Sequence, residues 1–155
     1  ESWNKAEISN LISVSAVAPI EGAKPFALLH KDDEDNYFKG VTYKDGWMKI
    51  TNQAEYVASF TNTQSHSLKA KVWSQSVDEP AVTGEGKVYL NKTKLDAIPK
   101  AYVFAKEDKI ISYATQQKIA QSIGATKTYS ITSGHLPMIT QPVALADAIK
   151  SALTL

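Results

Sequence analysis

The feature that most constrains the fold of this chain is a five-residue run, Ala101-Tyr102-Val103-Phe104-Ala105, which comes after Ile98-Pro99. It has too few polar side chains for a strand with one face in water, so it must be covered on both sides, as strands of parallel sheets are. The downstream residues agree with that demand. Residues 112–123 read as a helix with Ala114, Ile119, Ala120 and Ile123 on its apolar positions and Gly124 as its stop. Residues 126–131 read as a strand, and a closing helix starts near Pro142 and runs through Val143, Leu145, Ala146, Ile149 and Leu153. Strand, helix, strand, loop, helix implies a right-handed parallel crossover and hence an α/β fold. An earlier strand is expected over 11–17, rich in β-branched residues and closed by Pro19, with residues 5–8 as the tail of a preceding helix.

The middle of the chain has a different character. Residues 21–97 are more polar and less regular, and they hold two of the three tryptophans, Trp47 and Trp73. Asp45-Gly46 between 38–43 and 47–50 is a β-hairpin signal. Asn52 with Glu55 three residues later marks a helix start, 68–73 suits a second helix, and 78–86, with Pro80, Gly84 and Gly86, reads as a loop. Few apolar residues remain for an independent core. The expected organisation is therefore one α/β body made of 1–20 and 98–155, with 21–97 inserted as a cap.

Composition narrows the function. The charge is balanced, 17 basic against 16 acidic residues, and every basic residue is lysine. Without arginine forks or a basic field, nucleic acid is not an expected partner. The absence of cysteine removes thiolate nucleophiles and thiolate metal sites. No apolar run approaches the roughly 20 residues that span a bilayer, so no membrane role is expected. The acidic run His30-Lys31-Asp32-Asp33-Glu34-Asp35-Asn36 does not fit a calcium loop, which needs glycine at its sixth place and glutamate at its twelfth. Counted from Asp32 those places hold Tyr37 and Tyr43, and counted from Asp33 they hold Phe38 and Lys44. It is expected to be a solvated loop, with no metal and no cofactor. His66 has no partner at metal-ligand spacing and is expected to be exposed near a helix start. Asn91-Lys92-Thr93 matches a glycosylation triplet, a short pattern that is common by chance.

One segment carries chemistry. The stretch Ile98-Pro99-Lys100 through Lys106-Glu107-Asp108, succeeded by helix, strand and Ser133-Gly134-His135-Leu136-Pro137-Met138, resembles the acid strand and histidine loop of α/β-hydrolases. The histidine stands 27 residues after the aspartate, room for one helix and one strand. Acid before histidine is also the order of that fold. The strand at 11–17, running into Pro19, is similar to the strand after the nucleophile helix, and Gln141-Pro142 with its alanine-rich helix is similar to the usual ending. The group most resembled contains methylketone synthases, methyl-salicylate-type esterases and hydroxynitrile lyases, with bacterial relatives. The resemblance implies His135 as general base and Asp108, rather than the adjacent Glu107, as the acid that orients it. In hydroxynitrile lyases of the group a lysine commonly stands closely after the histidine. This chain has Leu136, Pro137 and Met138 there, which points to an esterase.

The family's Gly-x-Ser-x-Gly turn is nowhere in these 155 residues, and the oxyanion-hole donors that accompany it are missing as well. The chain is therefore expected to be the C-terminal part of a hydrolase, with the serine supplied by an N-terminal segment that also completes the sheet. The expected substrate is a small ester. Trp47, Trp73, Tyr56 and Leu136 are candidate substrate-binding residues, although the cap aromatics could equally be packing. A hydrolase-like binding protein that keeps the geometry without the chemistry, and an inactive fragment, are the alternatives. The compartment stays open, because any signal peptide would lie on the preceding segment.

Overall fold

The computed structural model describes residues 8–18 and 20–154. Of the expected helix tail at 5–8, residues 5–7 lie outside the described residues, as does Pro19, and Ile8 is in no regular element. In chain order the elements begin with β1 (Leu11–Val14), α1 (Lys31–Tyr37), β2 (Val41–Lys44), β3 (Trp47–Ile50) and α2 (Gln53–Phe60). Then come α3 (His66–Ser74), β4 (Glu79–Pro80), α4 (Val82–Glu85), α5 (Lys92–Asp96) and β5 (Lys100–Ala105). The chain continues with α6 (Tyr113–Ser122), β6 (Lys127–Ile131), α7 (Pro137–Thr140) and α8 (Pro142–Leu153).

The main sheet is parallel, in the order β1-β5-β6, with Val14 opposite Val103 and Val103 opposite Tyr129. All six residues of β5 are buried, as a strand covered on both faces requires. Its side chains alternate between two cores. Tyr102 and Phe104 join Ile110, Ile111 and the α6 residues Ile119 and Ala120 on one side. Val103 joins Ile131 and the α8 residues Leu145 and Ala148 on the other. Each large apolar side chain so buried stabilises the fold by about 1.5–3 kcal/mol. The two helices are delimited as their ends demand: the Ser112 hydroxyl accepts from the Thr115 amide at the start of α6, Gly124 with φ 70 stands just past its end, and Pro142 opens α8.

The strand expected over 11–17 is shorter. It stops at Val14 because Ser15 takes φ 41, a left-handed conformation that no strand continues through. The Ser15 amide still donates to the Val103 carbonyl at 3.0 Å. Beyond it, the Tyr102 hydroxyl replaces a strand partner, accepting from the Ala16 amide (3.0 Å) and donating to the Ala16 carbonyl (2.6 Å).

Between β1 and β5 a second, antiparallel sheet has the order β2-β3-β4. Its hairpin turns at Asp45 (φ 55) and Gly46 (φ 78), the two left-handed residues of a type I′ turn. Asn52 caps α2 by accepting from the Ala54 and Glu55 amides, and Ser65 caps α3 by accepting from the Leu68 amide. His66, first residue of α3, is exposed. Asn91, of the glycosylation-like triplet, caps α5.

Two expectations are corrected in this region. The loop expected over 78–86 contains the two-residue strand β4 and the single turn α4. The acidic run expected as a solvated loop is the helix α1: His30 caps it, and Asp32, Asp33 and Glu34 in its first turn suit the positive end of the helix dipole. Nor is Asp33 solvated. It is buried and accepts from the Ser112 amide (3.0 Å), the Ser112 hydroxyl (3.2 Å), the Thr115 hydroxyl (2.5 Å) and the His30 amide (3.2 Å). A single carboxylate thus ties α1 to the first turn of α6.

Candidate active site

The site lies where β5 and β6 end. Because the two strands are parallel neighbours, the loops that leave them emerge on the same rim of the sheet. Backbone bonds stitch these loops together: the Lys106 amide donates to the Ile131 carbonyl and the Glu107 amide to the Ser133 carbonyl, both at 3.0 Å. Asp108 is in the first loop and His135 in the second.

The Asp108 side chain has no exposed surface, and each of its oxygens has two partners. Oδ1 accepts from the amides of Ile110 (2.7 Å) and Ile111 (3.1 Å), an aspartate-headed turn. Oδ2 accepts from the Ser15 hydroxyl and pairs with His135 Nδ1 at 2.8 Å. An ionised carboxylate only accepts, so in a neutral imidazole this bond puts the ring proton on Nδ1 and the lone pair on Nε2. That is the tautomer of a general base. Phe60 holds the ring from the side, edge-to-face at 5.5 Å between centroids and 84° between planes.

Glu107 is turned to other work. Its carboxylate accepts from the Asn62 side-chain amide, and Asn62 Oδ1 in turn accepts from the Gly134 amide at 3.0 Å. Asn62, just beyond α2, therefore touches both loops that carry Asp108 and His135. A Cβ at position 134 would approach the Asn62 nitrogen to 3.0 Å, so glycine permits this contact. In the same loop the Ser133 hydroxyl bonds Thr140 at 2.7 Å.

Two cavities open on His135. One, of about 360 Å³, has Val14, Phe26, Leu29, Ile110, Ile111 and Met138 among its walls. The other, of about 380 Å³, has Tyr56, Phe60, Val72, Val77 and Ile139. Leu136 and Glu79 line both. A cavity of about 450 Å³ between α2 and α3 is larger, but its walls, including Gln53, Val57, His66 and Lys69, contain neither Asp108 nor His135. The chemistry, not the volume, locates the site.

Of the residues expected to bind substrate, the structure brings Tyr56 and Leu136 to cavities shared with His135 and leaves Trp47 and Trp73 outside them. Trp47 is 44% exposed, since in β3 it is the neighbouring Met48 that points inward. Trp73 is 37% exposed, a helical step away from Val72, the buried face of α3. Three participants carry no sequence motif: Ser15, Asn62 and Glu79. Ser15 had the faintest signal, a polar residue at the end of an apolar strand.

The arrangement can orient an imidazole and take a proton from a group placed at Nε2. The Ser15 hydroxyl bonds Asp108 rather than His135, so it is not placed to give its proton to the imidazole. Among the described residues no group of three or more His, Cys, Asp or Glu side chains is placed to hold a metal ion, and no helix is long and apolar enough to cross a membrane.

A three-stranded parallel sheet with a helix on each face, and an aspartate and a histidine bonded at its carboxyl rim, is the C-terminal part of an α/β-hydrolase fold, and that is how this chain folds. Solved structures agree. The chain superposes on a histidine-to-alanine mutant of polyneuridine aldehyde esterase with a TM-score of 0.74 and 14% identity, over 94% of this chain and 62% of that one. A pyrethroid hydrolase from Sphingobium faniae gives 0.72 and 17%, over 94% and 60%. An extracellular α/β-hydrolase from a Paenibacillus species, described as sharing homology with tobacco salicylic acid binding protein 2, gives 0.70 and 18%, over 93% and 61%. The chain thus spans about 60% of the length of these structures. No protein-family model matches the sequence, and no curated protein matches it.

Proposed function

We propose that this chain supplies the acid and the base of a serine hydrolase that cleaves a small ester. The nucleophilic serine and the oxyanion hole lie on an N-terminal segment of the same hydrolase, carrying Gly-x-Ser-x-Gly, which also completes the sheet. The observation that carries the reading is the 2.8 Å bond between His135 Nδ1 and the fully enclosed Asp108, beside cavities with mostly apolar walls. The fold it shares with esterases and other hydrolases supports the same reading.

In this mechanism Nε2 of His135 takes the serine proton as the serine oxygen attacks the ester carbonyl, and Asp108 stabilises the imidazolium that forms. The imidazolium returns the proton to the departing alcohol, leaving an acyl-enzyme. Water, deprotonated by the same nitrogen, then releases the acid and restores the serine. Region 21–97 acts as the cap over the pocket: from it, Phe26 and Tyr56 line the cavities. No cofactor takes part.

The complete protein tests this. In it, His135→Ala lowers kcat for p-nitrophenyl acetate by at least about 10³-fold. A rate near that of the wild type would refute the assignment. If alanine stands where the elbow serine belongs, the binding-protein alternative holds instead, and aspartate there points to binding or to a different chemistry, since a carboxylate can itself be a nucleophile.

A further inference from the structure

Glu79 is the one acidic or basic side chain, His135 apart, among the described residues that line the two cavities on His135. It is in β4, beyond the cap hairpin, and both cavities reach it. None of the ion pairs among the described residues involves it, and its polar contact is the Tyr37 hydroxyl, which donates to Oε2 at 3.4 Å. Around it stand aromatic rings. Phe26 and Tyr37 are 5.3 Å apart, Tyr37 and Phe60 6.1 Å, and Tyr56 stacks on Phe60 at 4.2 Å. Phe60 in turn touches the His135 ring. Burial raises the Tyr37 and Tyr56 phenols and the charge of Glu79 raises both further, against an opposing bond from Tyr56 to Ser76, so both phenols are uncharged at neutral pH.

A carboxylate that shares its cavities with aromatic rings attracts an organic cation by charge, and rings that meet the cation face-on add to the attraction. Glu79 is exposed, so this attraction is strongest at low ionic strength. The same carboxylate repels an anionic ligand. We infer that Glu79 is a specificity-determining residue that makes the cleft select ligands bearing an ammonium group over neutral ligands of the same shape, and disfavour anionic ones. For the ester reaction this rests on the hydrolase reading above, with the ammonium group toward Glu79 and the carbonyl toward His135.

Binding by unreactive ketones tests the charge selection without requiring turnover. The probes are 4-oxopentyl-trimethylammonium and its uncharged carbon isostere 6,6-dimethylheptan-2-one, titrated calorimetrically into the complete protein at low salt. The cationic ketone binds about tenfold more tightly to the wild type. Glu79→Gln reduces that preference to within about twofold, and Glu79→Lys reverses it. Equal affinities in the wild type, a preference that survives Glu79→Gln, or no binding of the cationic ketone at millimolar concentration would each overturn the inference. If the preference is found but choline esters and p-nitrophenyl acetate are not hydrolysed, the hydrolase reading fails and the charge selection stands.

Discussion

Replacing Ser15 by alanine removes one of four partners from Asp108 while leaving the backbone pair at Ile110 and Ile111 intact. Ser15 is 2% exposed, so no water readily takes the place of its hydroxyl. A hydrogen bond to a charged acceptor contributes about 1.5–3 kcal/mol. The bond is on Oδ2, the oxygen that also holds His135, so its loss frees the carboxylate to rotate away from the imidazole. If that energy is expressed in the transition state, where the imidazolium needs a fixed counter-charge, kcat falls about 10- to 100-fold with KM nearly unchanged. A purely structural role would look different, and glycine separates the two. Ser15 has φ 41, which costs a non-glycine residue about 1–2 kcal/mol. Ser15→Gly therefore unfolds at higher urea concentration than Ser15→Ala, yet loses the same factor in kcat. The assays are steady-state hydrolysis of p-nitrophenyl acetate by the complete protein and urea unfolding of each variant. A kcat for Ser15→Ala within about twofold of wild type would show that the backbone amides alone hold Asp108. Activity that tracks stability between the two variants would reduce Ser15 to a packing residue.

Two further outcomes concern stability alone. Asp33→Ala leaves the buried Thr115 hydroxyl and the Ser112 amide without their acceptor and costs about 3–5 kcal/mol in urea unfolding, whereas Asp33→Asn, which keeps one acceptor oxygen, costs about 1–2 kcal/mol. A loss under about 1 kcal/mol for the alanine variant would mean that α1 is not anchored through this carboxylate. Burial, with the nearby charge of Asp108, holds the Tyr102 phenol above its ordinary value of 10.0, while its bond to Ala16 opposes the shift. The raised folded value makes the sign definite: this contribution to stability is complete below about pH 10 and is lost as pH rises beyond it toward the folded value. Unfolding midpoints should fall above pH 10 in the wild type and fall less in Tyr102→Phe; equal slopes would place the pH dependence elsewhere.

How far the sequence reaches depends on whether the cause of an element is local. β5, α6, β6 and α8 are legible because apolar periodicity, Ser112, Gly124 and Pro142 act over a few residues. The same holds for the Asp45-Gly46 turn and the Asn52 cap. The acidic run reads as a solvated loop because four acidic residues in a row favour solvent when counted by composition. Its helix depends on a remote partner, since the Asp33 carboxylate bonds Ser112 and Thr115 some 80 positions away. Neither does the sequence tell which way a side chain points off a short strand or a mostly exposed helix, which is why Trp47 and Trp73 stand among the pocket candidates until the fold is known.

The same division holds at the site. That an aspartate and a histidine should share one rim comes from their places just beyond two strands joined by a single helix, which a parallel crossover makes neighbours. Sequence alone therefore determined the α/β architecture and the places of Asp108 and His135 just beyond two neighbouring strands. Only the tertiary structure decided that the Glu107 carboxylate turns to Asn62, that Ser15, 93 positions away, completes the shell of Asp108, and that Asn62 clamps both loops. Each of those is a contact between segments far apart in the chain, set by packing rather than by any preference of the residues that make it.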